Sequence, residues 1–111
     1  MRQELLKLTL TVLDDMKAKA VSSMNVSSIT SISDYMIFAT GNSSRHVRSV
    51  ADKVTESVKK EGHSVMGIEG YETSKWVLID LGDVIVHIMQ EETRSFYMLE
   101  DFWSVGGRSN S

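Results

Sequence analysis

The amino-acid sequence predicts a single α/β domain, built on a mixed β-sheet of about five strands with three main helices. Its 111 residues are too few for two separate cores. Patterns of helical period alternate with short apolar runs along the chain, which is typical of helices packed on a sheet. Two apolar runs near residue 80 are separated by only Leu81 and Gly82, so we expect these two strands to pair antiparallel.

The first part of the chain predicts one helix and then two strands. Five apolar side chains in residues 3–20 fall close to one helical face, and charged side chains occupy the other: Leu5, Leu6, Leu13, Met16 and Ala20. Residues 24–29 and 34–40 predict strands. The second of these is continuously apolar from Tyr35 to Ala39, as expected for a strand that is covered on both faces.

A second helix is predicted after the break at residues 41–44. Its apolar residues recur at the spacing of a buried stripe: Val47, Val50, Ala51, Val54 and Val58. Asn42 or Ser43 is the expected N-cap. The pair Lys59 and Lys60 precedes Gly62, and glycine at this position commonly ends a helix with a positive φ.

The remainder of the chain predicts three strands and a closing helix. The strands are expected at 64–69, 75–80 and 83–90, and the helix at 91–103. The complete order is therefore α-β-β-α-β-β-β-α. We expect the domain to span residues 1–104 and a flexible C-terminal tail to cover residues 105–111.

The last predicted hairpin has apolar side chains on both faces. Trp76, Leu78 and Asp80 alternate with Val77 and Ile79, so each set lies on one face of the sheet. Three helices of the predicted size would not cover both faces fully. A leftover apolar surface for a partner is therefore expected.

Composition and charge exclude several classes of protein. The chain has no cysteine, which rules out disulfide scaffolds, thiolate metal sites and thiol nucleophiles. The net charge is -3, divided between a balance of +2 in residues 1–55 and -5 in residues 56–111. This argues against a broad basic surface for nucleic acid and is compatible with a basic partner. No run of 18 apolar residues occurs, so we expect a cytoplasmic protein.

Two motifs suggest anion or metal binding, and each has a simpler interpretation. The loop from Gly41 to Ser44, with Arg45, could hold a phosphate at a helix start, or it could only turn the chain and cap the helix. Asp80 and Asp83 could bind a divalent cation, as the acidic pair of a nucleotidyltransferase does. Alternatively, both aspartates accept local N–H bonds around a tight turn, and we favour the simpler interpretation for both motifs.

The histidines and aromatic residues leave the choice between core and binding site open. His87 lies within an apolar strand, where a satisfied core histidine is the more common case, and three scattered histidines do not make a zinc site. Aromatic side chains among charges are typical of interface hot spots, but they also fill cores. We expect Trp103 to be core and Tyr71, in a loop, to be exposed.

Several collinear blocks together resemble the Iojap family of ribosomal silencing factors. The first is residues 33–37 (SDYMI) with 39–47 (ATGNSSRHV), and the second is Glu69-Gly70 with 76–87 (WVLIDLGDVIVH). The third consists of Arg94, Tyr97, Leu99, Glu100 and Trp103. The resemblance covers residues 3–104. It implies an α/β fold related to nucleotidyltransferases, frequent homodimers, and binding to a protein of the large ribosomal subunit where it meets the small subunit.

The resemblance therefore implies a steric repressor of translation under nutrient limitation that blocks subunit joining, with no catalysis, cofactor or metal. The predicted partner face is Glu69, Tyr71, Trp76, Asp80, Asp83, Glu92 and Arg94. Ser44, Arg45 and His46 are secondary candidates, either for the ribosome or for holding the helix start. The alternative is a nucleotidyltransferase-like nucleotide-binding protein that uses the loop from Gly41 to Ser44 with Asp80 and Asp83.

Overall fold

The structure, a computed structural model, describes residues 2–97 and confirms the predicted class and element order. None of the helices in that range has the length and hydropathy to cross a membrane. The elements are α1 Arg2–Asp15, β1 Lys19–Asn25, β2 Tyr35–Gly41, α2 Ser44–Lys60, β3 Gly67–Glu69, β4 Trp76–Asp80, β5 Val84–Gln90 and α3 Glu91–Tyr97.

The five strands form one mixed sheet in the order β1-β2-β5-β4-β3. Strands β2 and β5 pair in parallel, and the other three pairings are antiparallel. The central position of β2 and β5 explains their sequence, because a strand covered on both faces is apolar throughout. The predicted mixed sheet of about five strands is confirmed.

Helices α1 and α2 both pack on one face of the sheet, here called the first face. The α2 stripe is buried as predicted. It meets Ile37 and Ala39 of β2, Val77 and Ile79 of β4, and alternate residues of β5 in one apolar core. The opposite face, here called the second face, has its own smaller cluster, which consists of Met36, Phe38, Ile85 and Met89 with Val26 from the loop after β1.

Both ends of α2 have the predicted caps. The Ser43 side chain accepts a hydrogen bond from the amide of His46 at 3.1 Å, so Ser43 rather than Asn42 is the N-cap. At the other end Gly62 has a φ of 89°, and its amide donates to the carbonyl of Lys59 while that of His63 donates to Val58. This pair of bonds is a Schellman motif, which ends the helix at a glycine.

The first strand was predicted in the wrong place. The strand runs over Lys19–Asn25, not residues 24–29, and α1 ends at Asp15 rather than near residue 20. Lys17 and Ala20 adopt positive φ values of 61° and 49°, which no propensity rule assigns to these residue types. After β1 the side chain of Asn25 accepts from the Ser27 amide, which turns the chain out of the strand.

The remaining differences concern the ends of elements. The third strand covers only Gly67–Glu69 of the predicted 64–69: it begins three residues later than predicted. It ends at Glu69 as predicted, where Gly70 at a φ of 80° turns the chain away. The turn of the last hairpin is Gly82-Asp83, since Leu81 bonds to Val84 and Asp80 pairs with Ile85. The end of the third helix, the expected core position of Trp103, the boundary at 104 and the tail at 105–111 lie outside the described residues.

Candidate partner-binding face

Strands β4 and β3, which end the sheet on one side, place four predicted or neighbouring residues on the second face. Trp76, Leu78 and Asp80 alternate along β4 and pair with β5 residues of the second face, and Glu69 of β3 pairs with Leu78. Paired residues in a sheet share a face. The β4 side chains are half-buried and Glu69 is exposed. We call Glu69, Trp76, Leu78 and Asp80 the open sheet face.

Trp76 is held on this face by a buried histidine. The indole Nε1 donates a hydrogen bond to Nδ1 of His87 at 3.0 Å. The His87 ring in turn stacks on Phe38, with ring centroids 4.8 Å apart and planes 7° from parallel. Nε2 of His87 is buried and has no hydrogen-bond partner among residues 2–97, so the expectation of a satisfied core histidine is only half met.

Arg94 lies on the same face, near the ends of β2 and β5. Its Nη1 donates to the hydroxyl of Thr40 at 2.8 Å, and Thr40 alternates in phase with Met36 and Phe38 of the second face. Glu92 is exposed on α3. The structure therefore brings Arg94 onto the second face with Trp76, while Glu92 lies in the first turn of the helix beside them.

The aspartates of the last hairpin confirm the simpler interpretation for Asp80. Its Oδ1 accepts a hydrogen bond from the amide of Gly82 at 2.9 Å. This bond stabilises the turn, in which Gly82 has a φ of 88°. Asp83 is exposed in that turn. Within residues 2–97 no group of three or more His, Cys, Asp or Glu residues is placed to hold a metal ion.

The N-terminus of α2 lies at the other end of the sheet from these aspartates. Gly41 pairs with Gln90 at the end of β5, whereas Asp83 precedes the first residue of β5. Seven residues of strand at about 3.3 Å each separate the two ends by about 20 Å. The nucleotide-site alternative required both motifs to meet one ligand, and this separation argues against it.

His46 fastens α2 to the end of α1. Its Nδ1 accepts the amide of Asn42 at 2.9 Å, so Nε2 carries the proton and donates to the carbonyl of Met16 at 2.8 Å. Ser44 is half-buried and Arg45 is exposed. For His46 these bonds support the role of holding the helix start.

Tyr71 lies apart from the open sheet face, and the expectation of an exposed side chain was wrong. It is half-buried against the core of the first face. Its hydroxyl donates to Oδ2 of Asp52 at 3.1 Å, and Arg48 lies 5.8 Å from its ring centre. The hydrogen bond to Asp52, followed by burial, raises the pKa of Tyr71. The loop at 70–74 is thus bound to α2.

Two residues of this region were not among the predicted site residues. Leu78 lies between Trp76 and Asp80 on the same face, and the alternation of the strand was the signal that could have found it. His87 pairs with Leu78 across the hairpin. The contact between His87 and the Trp76 indole depends on which residues of β4 and β5 pair. The predicted turn at Leu81 and Gly82 gave the wrong pairs, so it could not have placed His87 opposite Leu78.

These features define a small α/β domain with a mixed sheet, two helices on one face and a half-exposed aromatic residue on the other. A family model described as "Ribosomal silencing factor during starvation" matches residues 1–110. The chain belongs to this RsfS family. The family is one of ribosome-associated regulators that repress translation.

Individual relatives agree with the family assignment. The chain is 40% identical to Ribosomal silencing factor RsfS from Halalkalibacterium halodurans over 101 residues, which is 91% of this chain and 86% of that protein. It superimposes on the crystal structure of a Chromobacterium violaceum protein with a TM-score of 0.90 and 40% identity, covering 92% of this chain and 85% of the other. A mouse protein named Mitochondrial assembly of ribosomal large subunit protein 1 is 31% identical over 75 residues, which is 65% of this chain and 33% of that protein.

Proposed function

We propose that this chain binds a basic protein of the large ribosomal subunit, at the surface that meets the small subunit, and so prevents the subunits from joining. The observation that carries the proposal is the open sheet face, where the half-exposed Trp76 and Leu78 lie in one row with Asp80 along β4, and the exposed Glu69 of β3 pairs with Leu78. An aromatic anchor inside a polar rim is the usual arrangement of an interface hot spot. The name of the mouse relative, which refers to the large subunit, supports the choice of subunit.

The charge of this surface favours a protein partner over RNA. Glu69, Asp80 and Asp83 are all acidic, and residues 56–111 have a balance of -5. Such a surface repels phosphates and attracts lysine and arginine side chains, which increases the rate of encounter with a basic protein. Little direct contact with nucleic acid is therefore expected.

The fold suggests how binding would block subunit joining. Helices α1 and α2 lie on the first face, so a chain docked through its second face would place both helices away from its partner, in the space that the small subunit occupies after joining. In this proposal the chain acts by occupying space, without catalysis, metal or cofactor. Repression under nutrient limitation and a cytoplasmic location are parts of the same proposal.

The direct test is sedimentation with purified ribosomal subunits. We expect the chain to sediment with free large subunits and not with small subunits. Preincubation of large subunits with the chain should then reduce the fraction of joined ribosomes in a sucrose gradient. Binding to neither subunit, or binding without any effect on joining, would contradict the proposal.

The acidic rim should contribute mainly to the rate of association. Asp83→Lys reverses an exposed charge in the hairpin turn and should slow association with large subunits by about threefold to tenfold at low salt, with a smaller effect at high salt. Glu61→Lys is the matched control, because it makes the same charge change at the end of α2, on the side of the first face. The association rate of each variant with large subunits is measured by stopped flow at two salt concentrations. Equal rates for Asp83→Lys and the control would show that Asp83 is not part of the partner face.

We also propose that the free chain forms a homodimer. Strand β3 is an edge of the sheet, and Met66 and Ile68 at this edge are 68% and 42% exposed, with Ile68 on the side of the first face. An exposed apolar sheet edge is a common site of self-association. Light scattering at increasing protein concentration measures the dimer. If the dimer and the ribosome share this region, added large subunits should convert dimers into bound monomers.

A further inference from the structure

The hydrogen bond between Trp76 and His87 fixes the protonation of the buried histidine. An indole Nε1–H can only donate, so Nδ1 of His87 is the acceptor at 3.0 Å. The ring hydrogen must then be on Nε2. That atom is buried and has no hydrogen-bond partner among residues 2–97. Burial lowers the pKa of His87 to about 4, which keeps the ring neutral near pH 7.

Stability alone does not explain a histidine at this position. An unpaired buried donor lowers stability, because it has lost water and gained no partner. Phenylalanine would keep the stacking contact with Phe38, now at 4.8 Å, and would remove the buried Nε2 donor, while the part-buried Nε1–H of Trp76 would lose this acceptor and turn to solvent. What phenylalanine cannot supply is the acceptor for the indole of Trp76.

The acceptor determines how the indole is presented. Trp76 is half-exposed near the start of β4, and its ring lies at 41° to the His87 plane with centroids 6.0 Å apart. Because Nε1 bonds to His87, the polar edge of the indole is directed toward β5. A half-exposed side chain that is fixed in this way loses less rotamer freedom when a partner covers it.

We propose that His87 is a positioning residue for docking: through Nδ1 it holds the Trp76 indole in the orientation that contacts the ribosomal protein. The inference rests on the proposed function, since it concerns the residue that supports the anchor of the open sheet face. His87 itself is only 5% exposed, so it acts through Trp76 and not by touching the partner.

Two substitutions at residue 87 separate positioning from stability. His87→Phe keeps an aromatic ring and removes the acceptor. It should leave the urea midpoint unchanged or raised, and it should weaken binding to large subunits about tenfold. His87→Asn places an amide oxygen near the position of Nδ1 but loses the stacking ring. It should lower the urea midpoint and bind more tightly than His87→Phe.

The indole itself reports the hydrogen bond. In a ¹⁵N-labelled protein, the Nε1–H resonance of Trp76, assigned with Trp76→Phe, should move and exchange faster with solvent in His87→Phe, and it should move back in His87→Asn. Val86→Ala is the control, since this neighbour lies in the core of the first face. It should lower the urea midpoint while the indole resonance and the affinity stay the same.

The outcomes distinguish the two proposals. If His87→Phe binds large subunits within twofold of the unmodified chain while Trp76→Ala is weakened, docking stands and the positioning role is overturned. Affinity that follows the urea midpoint across all three variants would also overturn it. If the unmodified chain does not bind large subunits, the proposed function fails and the docking role of His87 fails with it, although the indole resonance still measures the bond.

Discussion

Replacement of Trp76 by alanine is expected to weaken binding to free large subunits by about a hundredfold. Aromatic anchors that become fully buried on binding contribute about 2–4 kcal/mol, and each 1.4 kcal/mol changes an affinity by about tenfold. Trp76 is the largest half-exposed side chain of the open sheet face. Its loss removes both the apolar contact area and the group that His87 holds in place. Sedimentation with large subunits over a range of chain concentrations gives the dissociation constant.

The controls for this variant test the anchor and the fold separately. Lys75→Ala changes an exposed neighbour that precedes β4, and its affinity should stay within about twofold of the unmodified chain. Trp76→Phe keeps an apolar ring without the Nε1 donor and should have an intermediate affinity. Circular dichroism should show that all three variants keep their secondary structure. If a folded Trp76→Ala variant binds as tightly as Lys75→Ala, Trp76 is not the anchor and the partner face lies on another surface of the chain.

Local patterns in the sequence predicted the order of the elements and most of the faces correctly, but they misplaced the first strand. The alternation of β4 placed Trp76, Leu78 and Asp80 together, and the helical stripe identified all five buried residues of α2. The predicted hairpin turn was wrong by one residue, which moves the pairing by two positions: Asp80 pairs with Ile85 and not with Asp83. Since side chains alternate with a period of two, that error leaves every residue on its correct face.

Contacts between distant segments could not be predicted in this way. The parallel pairing of β2 with β5 joins residues about 50 positions apart, and no local signal specifies it. The position of β1 depends on positive φ values at Lys17 and Ala20, which the residue types do not indicate. Tyr71 bonds to Asp52 of α2 because the fold brings the loop at 70–74 to that helix, whereas its sequence neighbours indicated only an exposed loop.

Acid is expected to destabilise this domain through His87, more strongly than it destabilises a variant that lacks the histidine. Burial lowers the pKa of His87 from 6.5 to about 4 in the folded chain, while the unfolded chain keeps the ordinary value near 6.5. Above pH 6.5 the ring is neutral in both states, and the free energy of unfolding does not depend on it. Between pH 6.5 and 4 the unfolded state binds the proton more tightly, so the free energy of unfolding decreases as the pH is lowered. The loss is about 2 kcal/mol at pH 5 and about 3 kcal/mol near pH 4.

His87→Phe isolates this contribution, because the carboxylates titrate in both proteins. The difference in unfolding free energy between the two proteins, measured with urea at pH 7, 6, 5 and 4, should change by about 3 kcal/mol in favour of the variant as the pH falls. Glu69 and Asp80 share the second face from β3 and β4, and Arg94 shares it from α3. These charges are at least partly exposed to solvent and are therefore screened, so burial should dominate. Parallel stability curves for the two proteins would mean that His87 titrates near its ordinary pKa. Solvent would then reach the ring in the folded chain, and the buried hydrogen bond to Trp76 could not hold the indole as proposed.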